Sequence, residues 1–278
     1  MSSGGNRLVG KTPHRCASLS RVSPPQRVVS LVPSITESLF DLGFGAFVVG
    51  VTDYCTHPGG ALKAVPRIGG PKTPDLERIL ALQPDLVIAN QEENRKVDAE
   101  ALQAAGLQVW ITFPRTVAQS LEMLWDLVTL FHSLERAASL ITIERVLDWT
   151  ERAATRREPV RVFCPIWRDP WMTIGAETYA HDLLRVCGGH NVFADWRGGS
   201  RYPTITLGDV VDRRPEIILL PSEPFRFGEA HRDELASFPG MPDRIFLVDG
   251  TLLTWFGTRM GKALRLLPAL IERDRSSH

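Results

Sequence analysis

Two side chains that bind soft or borderline metals, Cys55 and His57, stand one residue apart in Asp53-Tyr54-Cys55-Thr56-His57-Pro58. Such a pair suits zinc or the metal of a bound chelate, but a metal site needs three or four ligands. His181 and His190 flank an expected helix and are candidates to complete it, although a lone histidine more commonly serves as a surface or satisfied core residue. Glu92 and Glu93 form an acidic pair suited to a cation, to the amides of a ligand, or simply to a helix start, where carboxylates complement the dipole. The string holds no G-x-x-x-x-G-K-[ST] loop, no G-x-G-x-x-G, no G-x-S-x-G elbow and no H-E-x-x-H. The chemistry on offer is that of binding.

Aromatic residues cluster in the segments that follow apolar runs. Tyr54 lies beside the Cys-His pair, Trp167 and Trp171 lie in Pro165–Trp171, Tyr202 in Arg201-Tyr202-Pro203, and Trp255 in Leu253-Thr254-Trp255-Phe256. In parallel α/β sheets ligands bind beyond the carboxyl ends of strands, where such loops emerge. Rings on two facing rims suit a large, flat, partly apolar ligand. Trp110, Trp125 and Trp149 fall inside expected strands or helices and read as core or interlobe packing.

What must position these loops is written twice in the chain. PDLERILALQPDLVIAN (Pro74 to Asn90) and ITLGDVVDRRPEIILLP (Ile205 to Pro221) align with Pro84 and Pro215 in register, at an offset of 131 residues (215 minus 84). Each is a short amphipathic helix, a breaking proline and a buried strand, which is half of a βαβ unit. Two copies imply two α/β lobes and a cleft between them.

In the first half, strands are expected at Val28 to Val32, Phe47 to Val51, Asp85 to Asn90 and Leu107 to Thr112. Helices are expected at Ser34 to Leu42, from Pro74 behind a Thr73 cap to about Leu82, and from Asn94 to Ala105. Val117 to Glu158 contains neither glycine nor proline and repeats apolar residues at helical spacing, so it reads as one long helical stretch between the lobes. The second half is expected to carry strands at Val160 to Cys164, Asn191 to Phe193, Glu216 to Leu220 and Ile245 to Val248. Its helices are expected at Thr178 to Val186, Leu207 to Asp212, Ala230 to Ser237 and Thr258 to Glu272, with Thr206 and Asp209 forming a cap. The resulting division is a flexible lead-in over 1–26, an N-terminal lobe over 27–116, a helical linker over 117–158 and a C-terminal lobe over 159–278.

The 32 Lys and Arg balance 32 Asp and Glu, with no basic, aromatic-interleaved stretch, which argues against a nucleic-acid partner. No apolar run approaches the ~18 residues that cross a bilayer, so no membrane insertion is expected. The first 26 residues lack an apolar signal core, and Cys16, Cys55, Cys164 and Cys187 are widely spaced without a disulfide pattern. The expectation is a cytoplasmic chain with reduced thiols, or a periplasmic or cell-surface one if the true N-terminus differs.

The runs VVSLVPSITESLFDLG, VVGVTDYCTHP, PDLERILALQPDLVIAN, LLRVCGGHNVFAD and DVVDRRPEIILLP, in that order, resemble the helical-backbone, class III substrate-binding proteins of cobalamin and iron-chelate ABC importers, closest to the cobalamin-binding branch. The resemblance implies two Rossmann-like lobes with parallel sheets, joined by a long helical backbone and gripping a ligand between them. It implies a non-enzymatic protein that captures a corrinoid or related metal chelate, with no catalytic cofactor. Tyr54, Trp167, Trp171, Tyr202 and Trp255 would contact that ligand, and Cys55 or His57 would reach its metal. Glu77 matches the first permease-docking glutamate of such proteins; the second position is Gly208, with Asp209 beside it. Tryptophans expected near Gly69-Gly70 and Asn90-Gln91 are missing. A receptor of this shape works as a monomer, since one chain supplies both cleft walls. The alternatives are an iron-siderophore, haem or metal receptor, and a cytoplasmic corrinoid-handling protein or metal-dependent enzyme using Cys55, His57 and Glu92 or Glu93.

Overall fold

The computed structural model describes residues 23–196 and 200–272. The first half runs β1 (Val28–Ser30), α1 (Pro33–Asp41), β2 (Val48–Val51), the short pair β3 (Gly69–Gly70) and β4 (Thr73–Pro74), α2 (Leu76–Ala81), β5 (Leu86–Asn90), α3 (Lys96–Ala104) and β6 (Val109–Thr112). Two helices, α4 (Val117–Leu130) and α5 (Ala138–Ala154), lead to the second half. There follow β7 (Val160–Phe163), the hairpin β8 (Pro165–Trp167) and β9 (Met172–Thr173), α6 (Tyr179–Val186), β10 (Gly189–Asn191), α7 (Leu207–Asp212), β11 (Ile217–Pro221), α8 (Glu229–Ala236), β12 (Ile245–Val248), α9 (Thr251–Thr254) and α10 (Met260–Glu272).

Both halves form a four-stranded parallel sheet of the same order, β2-β1-β5-β6 and β10-β7-β11-β12. The repeat read in the sequence is the matching unit: α2 and α7 begin at Leu76 and Leu207, and β5 and β11 at Leu86 and Ile217, each 131 apart (207 minus 76, 217 minus 86). Proline disfavours the helical conformation in the residue before it. Gln83 and Arg214, which precede Pro84 and Pro215, both turn left-handed, with φ of 47° and 45°. The carbonyls freed at each helix end are taken by an arginine of the lobe's first strand region. The Arg27 guanidinium donates to Leu82 O at 2.7 Å and to Gln83 O at 3.2 Å, and that of Arg161 to Arg214 O at 2.9 Å and to Arg213 O. A carboxylate answers from the start of the third strand, with Arg27 N donating to Asp85 at 3.0 Å and Arg161 N to Glu216 at 2.9 Å.

Strands β1, β5 and β11 are buried on both faces, and the alternation along the sheets sorts their side chains into cores. Val28, Leu86 and Ile88 of the first sheet join Val160, Val162, Ile217 and Leu219 of the second in one apolar cluster that runs through Leu124, Leu127 and Leu140 of the connecting helices. The opposite faces pack separately, as Val29, Val87 and Ala89 with Ile79 and Leu102, and as Phe163, Ile218 and Leu220 with Phe193 and Leu235.

Four local expectations change, the first being the strand expected at Asn191 to Phe193, which forms two residues earlier as β10. The cap of α2 is Asp75, whose side chain accepts from Arg78 N at 2.9 Å, while Pro74 pairs in β4. The connecting stretch is two helices separated by a 3-10 turn at Leu134–Ala137, where His132 adopts φ 49° without any glycine or proline to announce the break. Trp149 lies on the outer face of α5 and is 69% exposed, whereas Trp110 is buried and Trp125 half-buried against the shared core.

Candidate functional site

The loop after β2 is held from below. Arg67 Nη1 donates to Thr52 O and Cys55 O, both at 2.8 Å, closing the turn that lifts Tyr54 into solvent at 66% exposure. The ring of Tyr54 lies by the β3–β4 hairpin, its Cε2 3.6 Å from where a Cβ on Gly70 would stand. Cys55 points the other way. It is buried in the core with Sγ at 3.1 Å from Thr36 Oγ1 and 3.2 Å from Thr52 Oγ1, and burial pushes its thiol pKa up. The expected Cys55-His57 metal pair is thereby divided: His57 is exposed, with Nδ1 at 3.0 Å from Thr56 Oγ1 and its ring edge-on to Trp255, centroids 5.5 Å apart.

The loop after β5 is built on asparagines. Asn90 Oδ1 accepts from Glu92 N at 2.8 Å and Glu93 N at 3.2 Å, while Asn94 Oδ1 accepts from Asn90 N at 2.7 Å and its Nδ2 donates to Pro71 O at 3.1 Å. The helix α3 starts only at Lys96, so the acidic pair is not its first turn. Glu92 reaches across to the second lobe instead. Its Oε1 accepts from Tyr202 Oη at 2.8 Å and pairs with Arg201 Nη1 at 2.6 Å. Burial, followed by the charge and hydrogen bond of Glu92, raises the Tyr202 phenol above its usual range. Arg201 also covers the Phe113 ring at 4.6 Å, and Arg115 pairs with Glu177 at 2.8 Å, so the rims meet through a line of polar contacts. Glu93 is half-buried, and its pKa is pushed up to about 8 by burial first, then by the charges of Glu223 and Glu92, with Lys72 opposing.

In the second lobe, Trp167 is 44% exposed at the end of β8 and meets Phe225 edge-on at 5.6 Å. Trp171 is stacked on Phe227 at 5.8 Å and half-buried against that lobe's outer core, beneath Arg168. Trp255 is 8% exposed, with the Arg259 guanidinium 4.7 Å from its ring centroid. Glu223 sits on the loop after β11 and accepts from Thr254 Oγ1 at 2.7 Å. The floor of the cleft is stitched across: Arg259 pairs with Glu37 of α1 at 2.5 Å, Thr258 Oγ1 donates to Asp41 at 2.7 Å and Gly257 N donates to Ser120 Oγ at 2.7 Å.

The structure thus brings together His57 and Trp255, and Tyr202 with Glu92. It sets Tyr54 and Trp167 at exposed positions on separate lobes and gives Trp171 and Cys55 to packing. His181 is half-buried with its pKa lowered by burial, and His190 is exposed on β10. Neither joins Cys55 and His57, and no group of three or more metal-binding side chains forms among the described residues. Sequence reasoning placed Arg201, Glu223 and Phe113 in loops that follow strands but gave them no role; the aromatic residue or proline beside each was the available signal. Glu77 is exposed in the first turn of α2, while Asp209 is occupied as a capping box, accepting from Thr206 N and Oγ1 at 2.7 Å. Gly208, at the position matching Glu77, is exposed, with only Thr206 Oγ1 near where a Cβ would stand.

The sequence and the fold are similar to known proteins. Residues 28–238 match the family model described as periplasmic binding protein. A vitamin B12-binding protein of Vibrio parahaemolyticus is 30% identical over 200 residues, which is 70% of each chain, and one of Yersinia pestis is 30% identical over 197 residues, 70% of this chain and 69% of that one. Among solved structures, the periplasmic heme-binding protein RhuT from Roseiflexus sp. RS-1 is 26% identical with a TM-score of 0.76, over 88% of this chain and 97% of that one. The periplasmic vitamin B12 binding protein BtuF of Vibrio cholerae shares the fold at 22% identity and a TM-score of 0.74, over 90% and 98%. These matches overturn the cytoplasmic expectation, since the family and its solved members are periplasmic. The thiols do not oppose the correction: Cys55, Cys164 and Cys187 are free but buried, and burial pushes the last two up to about 12, so they stay protonated and out of reach of exchange in either compartment. With two sheets of one topology, a helical connection and a match over residues 28–238, this chain belongs to the periplasmic binding protein family.

Proposed function

We propose that this protein captures a corrinoid, or a closely related metal chelate, between its lobes and delivers it to an ABC-type permease without transforming it. The observation that carries the reading is the pair of exposed rings, Tyr54 on the first lobe and Trp167 on the second, with the His57–Trp255 contact between the lobes. Exposed aromatic side chains are costly to leave in water, and they repay the cost when a flat ligand covers them. The relatives named for vitamin B12 binding support the corrinoid. We assign His57, and not the buried Cys55, as the side chain that reaches the ligand's metal. We assign Glu77 to permease docking; Asp209 joins it only by leaving its cap. The functional units are the lobes at 27–116 and 159–278 around the linker at 117–158, and a single chain suffices for binding.

The test is a titration with hydroxocobalamin and cyanocobalamin, read by the corrinoid spectrum and tryptophan fluorescence. One-to-one binding at about micromolar affinity or tighter is expected, with a spectral shift for the aquo form that His57→Ala removes. No saturable binding to either corrinoid overturns the reading. A second reading, a haem receptor, is supported by the 26% identity to haem-binding proteins of Roseiflexus and Pseudomonas aeruginosa. Saturable binding of haemin with none of cobalamin would favour it.

A further inference from the structure

The polar wall of the cleft carries a charge pattern that ring stacking does not use. Glu92 and Glu93 enter it from the first lobe and Glu223 from the second, against two bases, Lys72 and Arg201. Both bases are committed. Lys72 Nζ donates to Glu92 O at 2.5 Å, while Arg201 Nη1 pairs with Glu92 and its Nε donates to Glu177 O at 2.7 Å. The bases on neighbouring loops are occupied as well, Arg67 by two backbone carbonyls, Arg115 by Glu177 and Arg259 by Glu37. Among the described residues, Arg226 on the Glu223 loop and Lys63 on the segment after His57 are exposed without such a partner.

Two groups in this wall lack hydrogen-bond partners. Among the described residues no hydrogen bond or ion pair reaches the Glu93 carboxylate, whose backbone alone is held by Asn90. Arg201 Nη2 is a buried donor without an acceptor. A buried polar group left unpaired costs about 1–3 kcal/mol, so such an atom at a binding cleft favours a ligand that completes it. A primary carboxamide, whose N–H groups donate and whose oxygen accepts, can answer both the unpaired Arg201 donor and the unpaired Glu93 carboxyl, whether that carboxyl holds its proton or not. A carboxylate adds a further negative charge beside Glu92 and Glu223, in a wall whose bases Lys72 and Arg201 are already engaged. The Glu93 carboxyl, pushed up to about 8 by burial first and then by the charges of Glu223 and Glu92, meets in the protein's own side chain the setting a ligand carboxylate would meet.

Resting on the chelate-binding reading above, we infer that this wall selects a metal chelate fringed with uncharged carboxamides over one fringed with carboxylates, with Glu93, Glu223 and Arg201 as its specificity-determining residues. The experiment compares cyanocobalamin with the same corrinoid after its peripheral amides have been hydrolysed to carboxylates, on the full chain and on the Glu93→Gln, Glu223→Gln double variant, with thermal melts confirming that both are folded. The full chain is expected to prefer the amide form by about tenfold or more, and the double variant by about threefold or less. If the double variant fails to melt cooperatively, Glu223→Gln alone is used, with a smaller narrowing expected. Equal affinity of the full chain for both corrinoids, or a preference that survives the substitutions unchanged, overturns the selection while leaving the chelate reading in place. Absence of saturable binding to either corrinoid overturns both.

Discussion

The two lobes share a sheet order, a helix-proline-strand unit at one spacing, and the same closure of that unit by an arginine and a carboxylate. They part company where the strands end. The first lobe presents Tyr54, Glu92 and Glu93 on loops pinned by Arg67 and by Asn90 and Asn94; the second presents Trp167 and Trp255 beside aromatics packed into its own core, with Arg201 and Tyr202 reaching back. What a parallel sheet needs in order to close has stayed the same in both halves, and the loops over the cleft have diverged. The difference lies in what each rim brings to the cleft: an acidic loop and one exposed ring from the first lobe, packed aromatics with Arg201, Tyr202 and Glu223 from the second.

The largest test of that division uses one ring from each lobe. Trp255→Ala removes a nearly buried side chain and is expected to lower stability by about 3 kcal/mol, whereas Tyr54→Ala leaves stability within about 0.5 kcal/mol and weakens corrinoid binding by about 1 kcal/mol. Urea denaturation and the cobalamin titration read the two losses separately; equal destabilisation would erase the contrast between the rims. Next comes pH. The Glu93 carboxyl is raised to about 8, so the native state holds its proton where the unfolded chain has released it. The protonated form favours folding. Stability is therefore expected to fall as pH rises from the ordinary carboxylate range through about 8, and Glu93→Gln should flatten that part of the profile and leave the variant more stable than the parent at pH about 9. A parallel decline in both proteins would place the titrating group elsewhere.

Much of this was legible in the chain. The repeat predicted two sheets because helix, proline and strand are local signals, and the sheets follow with their register intact. Thr206 and Asp209 announced a cap that forms as written. The failures have a common cause. Cys55 and His57 are sequence neighbours, but the loop turned by Arg67 sends one inward and the other outward, and Arg67 is ten residues further along the chain. Glu92 and Glu93 offered several readings, and the choice among them depends on Arg201 and Glu223, which come from the other lobe. Contacts across the cleft leave no period and no spacing to read.

Smaller effects sharpen the shared part of the comparison. Arg27→Ala and Arg161→Ala each strip the carbonyls at the end of a repeat helix and are expected to cost about 1 kcal/mol apiece, equally in the two lobes. Unequal melts would show that one closure is dispensable. Gly208→Glu restores at the second lobe the side chain that Glu77 provides at the first. With open space around Gly208, it is expected to stabilise α7 by about 0.5 kcal/mol through helix propensity and the helix dipole, and a loss of stability on denaturation would mean that the glycine is structurally required.

The stitched floor of the cleft has a thermodynamic consequence. Gly257 bends at φ 95°, so close to α1 that a Cβ there would stand 2.2 Å from Ser38 Oγ, and Arg259 and Thr258 tie the same turn to Glu37 and Asp41. Because the inner faces of both sheets also share one apolar cluster, neither half has a complete core of its own. Two sheets are therefore expected to melt as one cooperative unit, and cutting the chain between them would leave each fragment with its inner face in water.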